Sequence, residues 1–549
     1  MRFSIERIFR VKARRLFCIF ILLVLIPVMF TQGCQLFYEP DTSPPAPVET
    51  PPEEFPPPVE PPVSQPTRRG RFTLRYDSKS SLNPITALNR DNILLGSLMY
   101  ESLFVLDDKM TAEPVLCESW ETEDNVTFIF TLLPNIAMSD GTWLTADDVV
   151  YTLRQSMQKG RFVNRFGSVA SIASDGGLAV TIVLRSPNSR FMNLLDVPII
   201  KSGSIDSQLP PGTGPYVFAD PESMQLQRFT RYRDYFDLPV SFVYLIECAD
   251  DELTQFFDDG HISLLWDDPS DAFEIRLNRL YDPRLYDTTT MQFIGFNGRL
   301  SVLRDPDVRR AIGCAVEREF IVSELMPAGH ALAAPLPLSP AFSQYNTAWE
   351  YSEYEPFEEM ALLLKRAGLS DYDDDSFLEI WDGYGGYEKF SIIFIVNSEN
   401  LHRVRVAQRI ADTLRRAGLD IIVRELPWDS YISALENGNF GMYYGEIMLG
   451  ADFDLSPLLL PGKLNYGGMA NTTYKPFIDD FLYAKTDFEV NYAANRLLEE
   501  IKSKSPFIPI LYKRHVIYSP MGAVTGVSPS QSNVFRNITE WTINLTMLT

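Results

Sequence analysis

Side chains able to break bonds are either scarce in this chain or placed in patterns that no common catalytic motif uses. The four histidines stand outside metal-ligand spacing of one another: His261, His330, His402 and His515. The sequence has neither the His-Glu-x-x-His pattern of zinc hydrolases nor the Gly-x-Ser-x-Gly turn that presents a nucleophilic serine. The 72 Asp and Glu residues are too numerous for one pair to stand out as a glycosidase acid and base. This pattern favours a protein that binds a ligand without transforming it, with no metal and no cofactor.

The glycine-rich segment and the cysteines give no sign of a cofactor site either. Gly212-Thr213-Gly214 lacks the Lys and Ser/Thr that follow in a P-loop, and Pro215 removes a backbone amide that would have to donate. Beyond the N-terminal region only Cys117, Cys248 and Cys314 remain, in a spacing that suits no metal motif. One pair could form a disulfide in an oxidising compartment, but the odd number leaves at least one free thiol. We predict buried thiols without chemistry.

The first residues indicate export. Six basic residues in Met1–Arg15 precede the apolar run Leu16–Phe30, which is the order of a signal peptide. As a helix this run would span only ~22 Å, short of the ~30 Å hydrocarbon core that a permanent anchor must cross. We therefore predict a signal peptide over residues 1–33.

A lipid anchor and a spacer are predicted to follow. Thr31-Gln32-Gly33-Cys34 resembles the bacterial lipoprotein site, so Cys34 is the predicted lipid anchor, with an ordinary free cysteine as the alternative. The prolines of Pro40–Pro66 lack backbone amides and prevent helix or sheet pairing. We predict that residues 34–66 form a lipid-anchored, Pro-rich linker.

Size and charge limit what the remaining chain can be. Residues 67–549 are too many for one compact core and favour two or three subdomains. The net charge is −23, and removal of the basic N-terminal residues makes the exported part more acidic still. Such acidity disfavours binding to nucleic acid.

Strands and helices alternate along the globular part. The clearest βαβ-like stretch comprises the strand Phe390–Val396, the helix Arg403–Ala417 closed by Gly418, the strand Leu419–Leu426, the helix Trp428–Leu435 and the strand Phe440–Tyr444. Further segments predict strands or helices: strands at Arg71–Tyr76, Val126–Leu132, Gln292–Phe296 and Phe507–Tyr512, and a helix at Ile93–Leu103. This alternation predicts an α/β fold.

Two helix starts are well marked. Thr145 is a predicted N-cap with Asp148 at the third helical position, where an acid favours the helix dipole. Asp305-Pro306-Asp307 gives an N-cap, a first-turn proline and an acid. The second helix is predicted to continue through Val308, Ile312 and Val316 to Phe320.

Five ordered segments resemble those of the peptide- and nickel-type solute-binding proteins of ABC importers, the bacterial extracellular solute-binding protein family 5. The segments are Ser81-Leu82-Asn83-Pro84, Asp140-Gly141 with Leu144–Tyr151, Gly212–Tyr216, Asp307–Ala311 and Ala451-Asp452-Phe453. The resemblance covers residues 70–530 and implies a two-lobed periplasmic binding protein fold of type II. It also implies that Gly212–Tyr216 is a packed turn of the first lobe.

The resemblance further implies a division of the chain. Lobe I is expected over residues 67–290, with an extra subdomain inserted at about 85–205, and lobe II over residues 291–512. Residues 513–549 are expected to return to lobe I. The lobes would close around ligand by rotation about strands near Met291–Phe296 and Phe507–Tyr512.

The resemblance places the ligand between the lobes. In peptide-binding relatives the peptide lies extended, and its α-ammonium meets an aspartate that matches Asp452. Phe453 and Tyr444 are expected to line the cleft, and Tyr443 with them, although aromatic residues at strand spacing are also typical of a core. Glu446 and Asp454 could bind a cation or cap a helix instead. The expected partners are a small peptide and an ABC permease, with the protein acting as a monomer at the periplasmic face of a bacterial membrane.

Other functions remain open at this stage. An exported hydrolase could use cleft carboxylates such as Asp452 and Glu446 as acid and base. A surface structural lipoprotein would explain the Pro-rich stalk. Within the binding class, nickel, haem or glutathione could replace peptide, although scarce histidine argues against a metal-centred ligand.

Overall fold

The computed structural model describes residues 70–548 except 219, 221–222, 271–274, 328, 351–355 and 383. The predicted signal peptide, the anchor residue Cys34 and the Pro-rich linker lie outside these residues. Among the described helices none is both long enough and apolar enough to cross a bilayer.

The strands are mostly short, with two exceptions of 16 and 14 residues. In chain order they are β1 (Thr73–Arg75), β2 (Phe104–Leu106), β3 (Ala112–Pro114), β4 (Cys117–Glu121), β5 (Thr127–Leu132), β6 (Val169–Ser174), β7 (Ala179–Leu184), β8 (Tyr216–Phe218), β9 (Gln225–Arg228), β10 (Phe242–Ile246), β11 (Leu265–Asp267), β12 (Tyr281–Phe296), β13 (Ala331–Ala333), β14 (Glu379–Trp381), β15 (Tyr387–Lys389), β16 (Ser391–Asn397), β17 (Asp420–Leu426), β18 (Met442–Met448), β19 (Phe507–Pro520), β20 (Val524–Thr525) and β21 (Thr542–Ile543).

The α-helices cluster in the second half of the chain. In chain order they are α1 (Arg90–Met99), α2 (Ala146–Ser156), α3 (Leu253–Asp258), α4 (Pro306–Cys314), α5 (Arg318–Phe320), α6 (Pro356–Arg366), α7 (Leu401–Arg416), α8 (Trp428–Asn437), α9 (Ser456–Leu459), α10 (Lys475–Tyr483) and α11 (Asp487–Lys504).

One seven-stranded sheet runs through the middle of the molecule in the order β11-β19-β12-β18-β16-β17, with β13 paired to β19. The pairs β12–β19 and β12–β18 are antiparallel, whereas β16 is parallel to both β17 and β18. Two four-stranded sheets lie in the first half of the chain, in the orders β1-β10-β9-β8 and β4-β5-β7-β6. The second of these lies within the range predicted for the inserted subdomain.

The buried side chains follow two lobes. One large cluster is drawn from residues between Phe72 and Tyr286 and, after a gap, from residues between Ile517 and Leu548. Another is drawn only from residues between Ile294 and Leu511. The chain therefore builds one core, leaves it to build a second, and returns, as expected of a two-lobed α/β binding protein.

The two long strands β12 and β19 carry the chain across between these cores. Their pairing has a register shift between Asp287 and Met291, where three threonines are buried. The Thr288 hydroxyl donates to Lys513 O at 2.8 Å and the Thr289 hydroxyl to Leu449 O at 2.7 Å, so side chains satisfy carbonyls of both neighbouring segments. The predicted lobe boundaries at 290/291 and 512/513 each fall inside one of these strands and stay predictions.

Several predicted elements are confirmed. The βαβ-like stretch is β16-α7-β17-α8-β18, and Gly418 has a φ of +90°, as a helix-ending glycine requires. The capping residues are also confirmed, because Thr145 precedes α2 and its amide donates to the Asp148 carboxylate at 2.9 Å. Asp305 caps α4 by accepting from Asp307 N.

Four predicted extents were wrong. The helix predicted at Ile93–Leu103 is α1, which begins at Arg90 and ends at Met99, because Tyr100 is already extended. The helix after Asp305 ends at Cys314 and does not reach Phe320. The partly buried Arg318 guanidinium donates to Pro509 O and to Ala334 O, and these bonds hold the chain off the helix axis. The strands predicted at 292–296 and 507–512 extend to β12 and β19, because cross-strand pairing accommodates the Pro, Lys and Arg residues that are weak strand formers. The three cysteines Cys117, Cys248 and Cys314 are free, but the prediction of buried thiols was wrong for Cys248 and Cys314, which are partly exposed, and holds for Cys117 alone.

The glycines of Gly212–Tyr216 pack against the end of α1. A Cβ on Gly214 would lie 2.4 Å from the carbonyl carbon of Met99, and one on Gly212 would lie 2.3 Å from the Tyr100 ring. The Gly214 amide donates to Met99 O at 2.9 Å. The segment is therefore a close backbone contact that no side chain can enter.

We predict that Gly214→Ala lowers the free energy of unfolding by about 2–4 kcal/mol, because the backbone on either side of the new methyl group cannot yield. Urea unfolding followed by circular dichroism measures this. Gly167→Ala is the matched control, since nothing lies within 4 Å of a Cβ at that position. Equal stability of the two variants would contradict the packing argument.

Candidate ligand-binding site

The loop that follows β18 carries the predicted Asp452 and Phe453. Phe453 is fully buried with a φ of +54°, and its ring packs on Phe342 with centroids 4.9 Å apart. Its amide donates to Gly450 O at 3.0 Å, which closes a tight turn. The turn holds Asp452 in place, where its carboxylate accepts from Asp454 N at 3.3 Å.

Asp452 lies against residues of the first lobe. The side-chain amide of Asn188 donates to Asp452 Oδ2 at 2.8 Å, and Arg190 Nε donates to Asp452 O at 3.2 Å. The amide of Asn193 donates to Ala451 O at 3.0 Å. All three first-lobe side chains are buried. The lobes are therefore joined here by hydrogen bonds to buried polar groups, which confer geometry as well as stability.

Arg190 brings a cation beside the acid. Its second terminal nitrogen donates to Phe481 O at 3.0 Å, and its guanidinium lies 4.3 Å from the centre of the Phe481 ring. Burial lowers the pKa of Arg190 to about 10, although the charge of Asp452 opposes this. The buried guanidinium of Arg190 therefore lies next to the buried residue Asp452 and is bonded to its backbone carbonyl.

The Asp452 carboxyl has a shifted protonation equilibrium. Burial, together with the charge of Asp454, raises the pKa of Asp452 to about 6, despite the hydrogen bond from Asn188 and the charge of Arg190. A carboxyl with this pKa exchanges its proton in the mildly acidic range and is poised to respond to an incoming cation.

A cavity of about 190 Å³ lies beside β18, in the second lobe. Its walls are mainly aromatic and aliphatic, and comprise Phe293, Arg403, Trp428, Tyr431, Ile432, Leu435, Tyr443, Tyr444, Gly445, Glu446, Ile447, Leu458, Leu464 and Tyr466. Arg403 contributes a donor that is not used, because its Nε is buried without a hydrogen-bond partner among the described residues. Apolar rings with a few polar groups, here those of Arg403 and Glu446, are the usual make-up of a small-ligand pocket.

The edge of β18 borders this cavity. β18 pairs with β12 over its whole length, from Met442 to Met448, but with β16 only at Met442 and Tyr443. Beyond Tyr443 the β16 side of the strand is left without a strand partner in the described part of the chain. The Tyr431 hydroxyl donates there to Tyr444 O at 2.6 Å.

A chain of charges connects the cavity to the crossing strands. Glu446 Oε2 lies 2.8 Å from a terminal nitrogen of Arg403 and 3.4 Å from Lys513 Nζ. The buried Lys513 also pairs with Asp268, and His515 Nε2 lies 3.5 Å from the same carboxylate oxygen. Burial opposes ionisation of Asp268, but the hydrogen bond to His515 and the Lys513 ammonium outweigh it and hold its pKa well below the usual range.

Only some of the residues that were predicted together as ligand contacts line the cavity. Tyr444 lines the cavity, as does Tyr443, whereas Asp452 and Phe453 do not belong to its walls. Glu446 is held by Arg403 and Lys513, and Asp454 Oδ1 accepts from Ser456 N at the start of α9.

Several residues of the site were missed at the sequence level. They are Asn188, Arg190, Arg403 and Lys513. The first two lie in a loop between β7 and the next turn, where no local pattern distinguishes them. Lys513 could have been found from the sequence. It directly follows the strand-like segment Phe507–Tyr512, and if the strand continues into the core, a lysine there needs an acid partner.

Two lobes around separate cores, joined by crossing strands and by a buried polar contact, define a two-lobed binding protein for a small solute. Residues 111–463 match the model of the bacterial extracellular solute-binding proteins, family 5 middle region. The chain belongs to this family.

Known relatives agree with this assignment. AppA of Bacillus subtilis (strain 168), an oligopeptide-binding protein, is 23% identical over 445 residues, 75% of this chain and 76% of AppA. The solved structure of AppA from the same species in complex with a nonapeptide has a TM-score of 0.62 at 18% identity, covering 86% of this chain and 99% of AppA. NikZ from Campylobacter jejuni in complex with Ni(L-His) has a TM-score of 0.64 at 18% identity, covering 86% and 99%. At these identities the structures establish the fold alone.

We predict that Asp452 makes the stability of the protein depend on pH. Because its folded pKa is raised, the folded state binds the proton more tightly, so the stabilisation is present at about pH 4 and is lost as the pH rises through 6. The loss amounts to roughly 2–3 kcal/mol. Thermal unfolding of wild type and Asp452→Asn between these pH values measures it.

The Asp452→Asn variant should show a flatter stability profile than wild type over this range. Asp251→Asn, at an exposed position, is the control and should keep the wild-type slope. A parallel profile for Asp452→Asn and wild type would show that this carboxyl does not titrate there.

Proposed function

We propose that this protein captures oligopeptides in the cleft between its lobes and delivers them, as a monomer, to the permease of an ABC importer. A lipid on Cys34 would hold it at the outer face of a bacterial cytoplasmic membrane, in the cell envelope. The protein would bind its ligand without catalysis. The observation that carries the proposal is the open edge of β18 beside an aromatic cavity.

The strand edge suits a peptide main chain. An extended peptide adds to an unpaired edge through backbone hydrogen bonds, which do not depend on its sequence. β16 leaves β18 after Tyr443, so the segment from Gly445 to Met448 is available on that side. Main-chain pairing there would give affinity for peptides of many sequences.

The cavity suits a peptide side chain and one acceptor group. Trp428 and Tyr431 present nearly parallel rings, with centroids 6.0 Å apart, and Tyr444 closes the wall. Arg403, in the cavity wall, can donate to a carbonyl or carboxylate oxygen of the ligand. An apolar side chain bound here would add about 1.5–3 kcal/mol through burial.

In this proposal Asp452 receives the α-ammonium of the peptide, with Phe453 fixing the turn that orients it. The ammonium must first displace the Asn188 amide from Asp452 Oδ2. With Asp452 ionised, the bond from Asn188 has one charged partner and the bond from the ammonium has two, so the Coulomb attraction between the two charges favours the exchange. Ligand binding would then rearrange the interlobe contact, which is a change that a permease can detect.

We expect native mass spectrometry of the purified protein to show bound ligands whose masses differ by amino-acid residues. Such a series would support peptide capture. Conversion of added peptide or polysaccharide to products would identify a hydrolase, and a nickel–histidine, haem or glutathione mass would assign another ligand class. Absence of any bound species, combined with no ligand-induced shift in melting temperature, would favour a structural lipoprotein.

We further predict that N-acetylation of a bound peptide weakens its affinity at least about tenfold, because the acetylated end cannot pair with Asp452. Isothermal titration calorimetry with the free and acetylated forms measures the ratio. The ratio should fall to near one in Asp452→Asn and persist in Asp454→Asn, whose side-chain oxygen can still accept from Ser456 N. Equal ratios in both variants would remove Asp452 from the ligand site while leaving peptide binding intact.

A further inference from the structure

A compact group of acids lies away from the ligand site, around the hairpin β14–β15. Asp371, Asp373, Asp375 and Glu379 each place a carboxylate oxygen within 4.8 Å of the others. Oxygen ligands at the calcium distance of about 2.3–2.6 Å from one centre are separated by at most about 4.6–5.2 Å. Four oxygens at this spacing can therefore share a single calcium ion.

The side chain of Glu379 points one carboxylate oxygen into this group of acids. The residue is only 2% exposed, yet its Oε1 has no hydrogen-bond partner among the described residues. Its other oxygen accepts from Tyr372 N at 2.8 Å, which holds the carboxylate in place. A buried carboxylate oxygen without a partner lowers the stability of the folded state, and a bound cation would supply the missing partner.

Lys389 marks where a cation would lie. Its ammonium is 2.9 Å from Asp373 Oδ2, also pairs with Asp375, and is 4.0 Å from Glu379 Oε1, beyond hydrogen-bond reach. These three contacts point the Glu379 oxygen into the group. One ammonium on a half-exposed side chain does not balance four carboxylates, and an exposed pair of this kind contributes little to stability. A divalent ion can therefore displace it.

The loop sequence has the spacing of a calcium ligand set. Asp371, Asp373 and Asp375 stand at positions 1, 3 and 5, as in an EF-hand loop, and Glu379 stands at position 9. Asp371 accepts from Asp375 N and Ser376 N at 3.1 and 2.9 Å, so the backbone already curls around its carboxylate.

We propose that Asp371, Asp373, Asp375 and Glu379 form a calcium site that fixes the loop 371–378 against the β14–β15 hairpin. The ion takes several carboxylate oxygens with water completing its sphere. Calcium suits this set better than magnesium, which requires near-ideal octahedral geometry and keeps most of its water. Extracellular calcium sites bind at about 10⁻⁴–10⁻³ M, and we expect an affinity in that range.

Calorimetric titration of the chelator-treated protein with calcium chloride tests the proposal. We expect one ion per chain, a rise in melting temperature at millimolar calcium, and much weaker binding of magnesium. Terbium should luminesce on excitation of tyrosine, because Tyr372 lies in the loop and stacks on Tyr387 at 3.5 Å.

Three variants and one control distinguish coordination of calcium by particular carboxylates from general attraction to negative charge. Glu379→Gln and the more exposed Asp373→Asn should each weaken calcium binding about tenfold or more, whereas Lys389→Met should strengthen it up to about fivefold by removing the competing ammonium. Asp374→Asn, in the same loop but outside the ligand set, should bind as wild type.

The proposal is overturned if wild type shows neither heat nor thermal shift with calcium, or if magnesium binds equally well. It is also overturned if Asp374→Asn loses as much affinity as Asp373→Asn, since that would indicate diffuse attraction to negative charge.

Discussion

The pairing of two long strands, β12 and β19, is the constraint on which the rest of the molecule depends. β12 and β19 pair with each other, and β19 also pairs with β11 beside the first core. At the other end β18 pairs with β12 and extends the sheet into the second lobe. The register of β12 and β19 shifts between Asp287 and Met291, where buried threonines replace regular ladder bonds. One continuous sheet therefore connects the two lobes, and its strand pairing is locally irregular where the chain crosses between them.

Buried charged side chains lie where β12 and β19 cross between the lobes, and they connect the sheet to the wall of the cavity. Lys513 on β19 contacts Asp268 beside β11 and Glu446 on β18, so one ammonium joins strands on both sides of it. Removal of one partner from such a group leaves an uncompensated buried charge, whereas the complete group is close to neutral in its effect on stability. The arrangement therefore specifies the relative position of the strands more than it adds stability. Glu446 also holds Arg403 in the cavity wall, so the position of the ligand donor depends on the same charges.

Sequence reasoning reached the local elements and the family, but not the contacts between distant segments. The βαβ-like stretch and both capped helices were predictable because hydrophobic period and capping residues are local signals. The full lengths of β12 and β19 were not, since Pro283 and Lys513 oppose strand formation locally and only pairing with distant strands overrides this. The contact of Asn188 and Arg190 with Asp452 joins residues more than 260 positions apart, and no periodic pattern encodes such a separation.

The Asp452 contact also constrains how strongly the proposed site can select a positive ligand. An acid alone in a closing cleft would attract any ammonium strongly, because its charge would otherwise be buried without compensation. Here the Asn188 amide already donates to the carboxylate, and Arg190 donates to the Asp452 backbone carbonyl and adds a weaker Coulomb attraction, so the acid is partly compensated before ligand arrives. An incoming ammonium therefore competes with the resident Asn188 amide and must give up its hydration to reach a buried carboxylate. Most of the affinity must then come from the strand edge and the aromatic cavity, and the acid serves chiefly to set the direction in which a peptide lies.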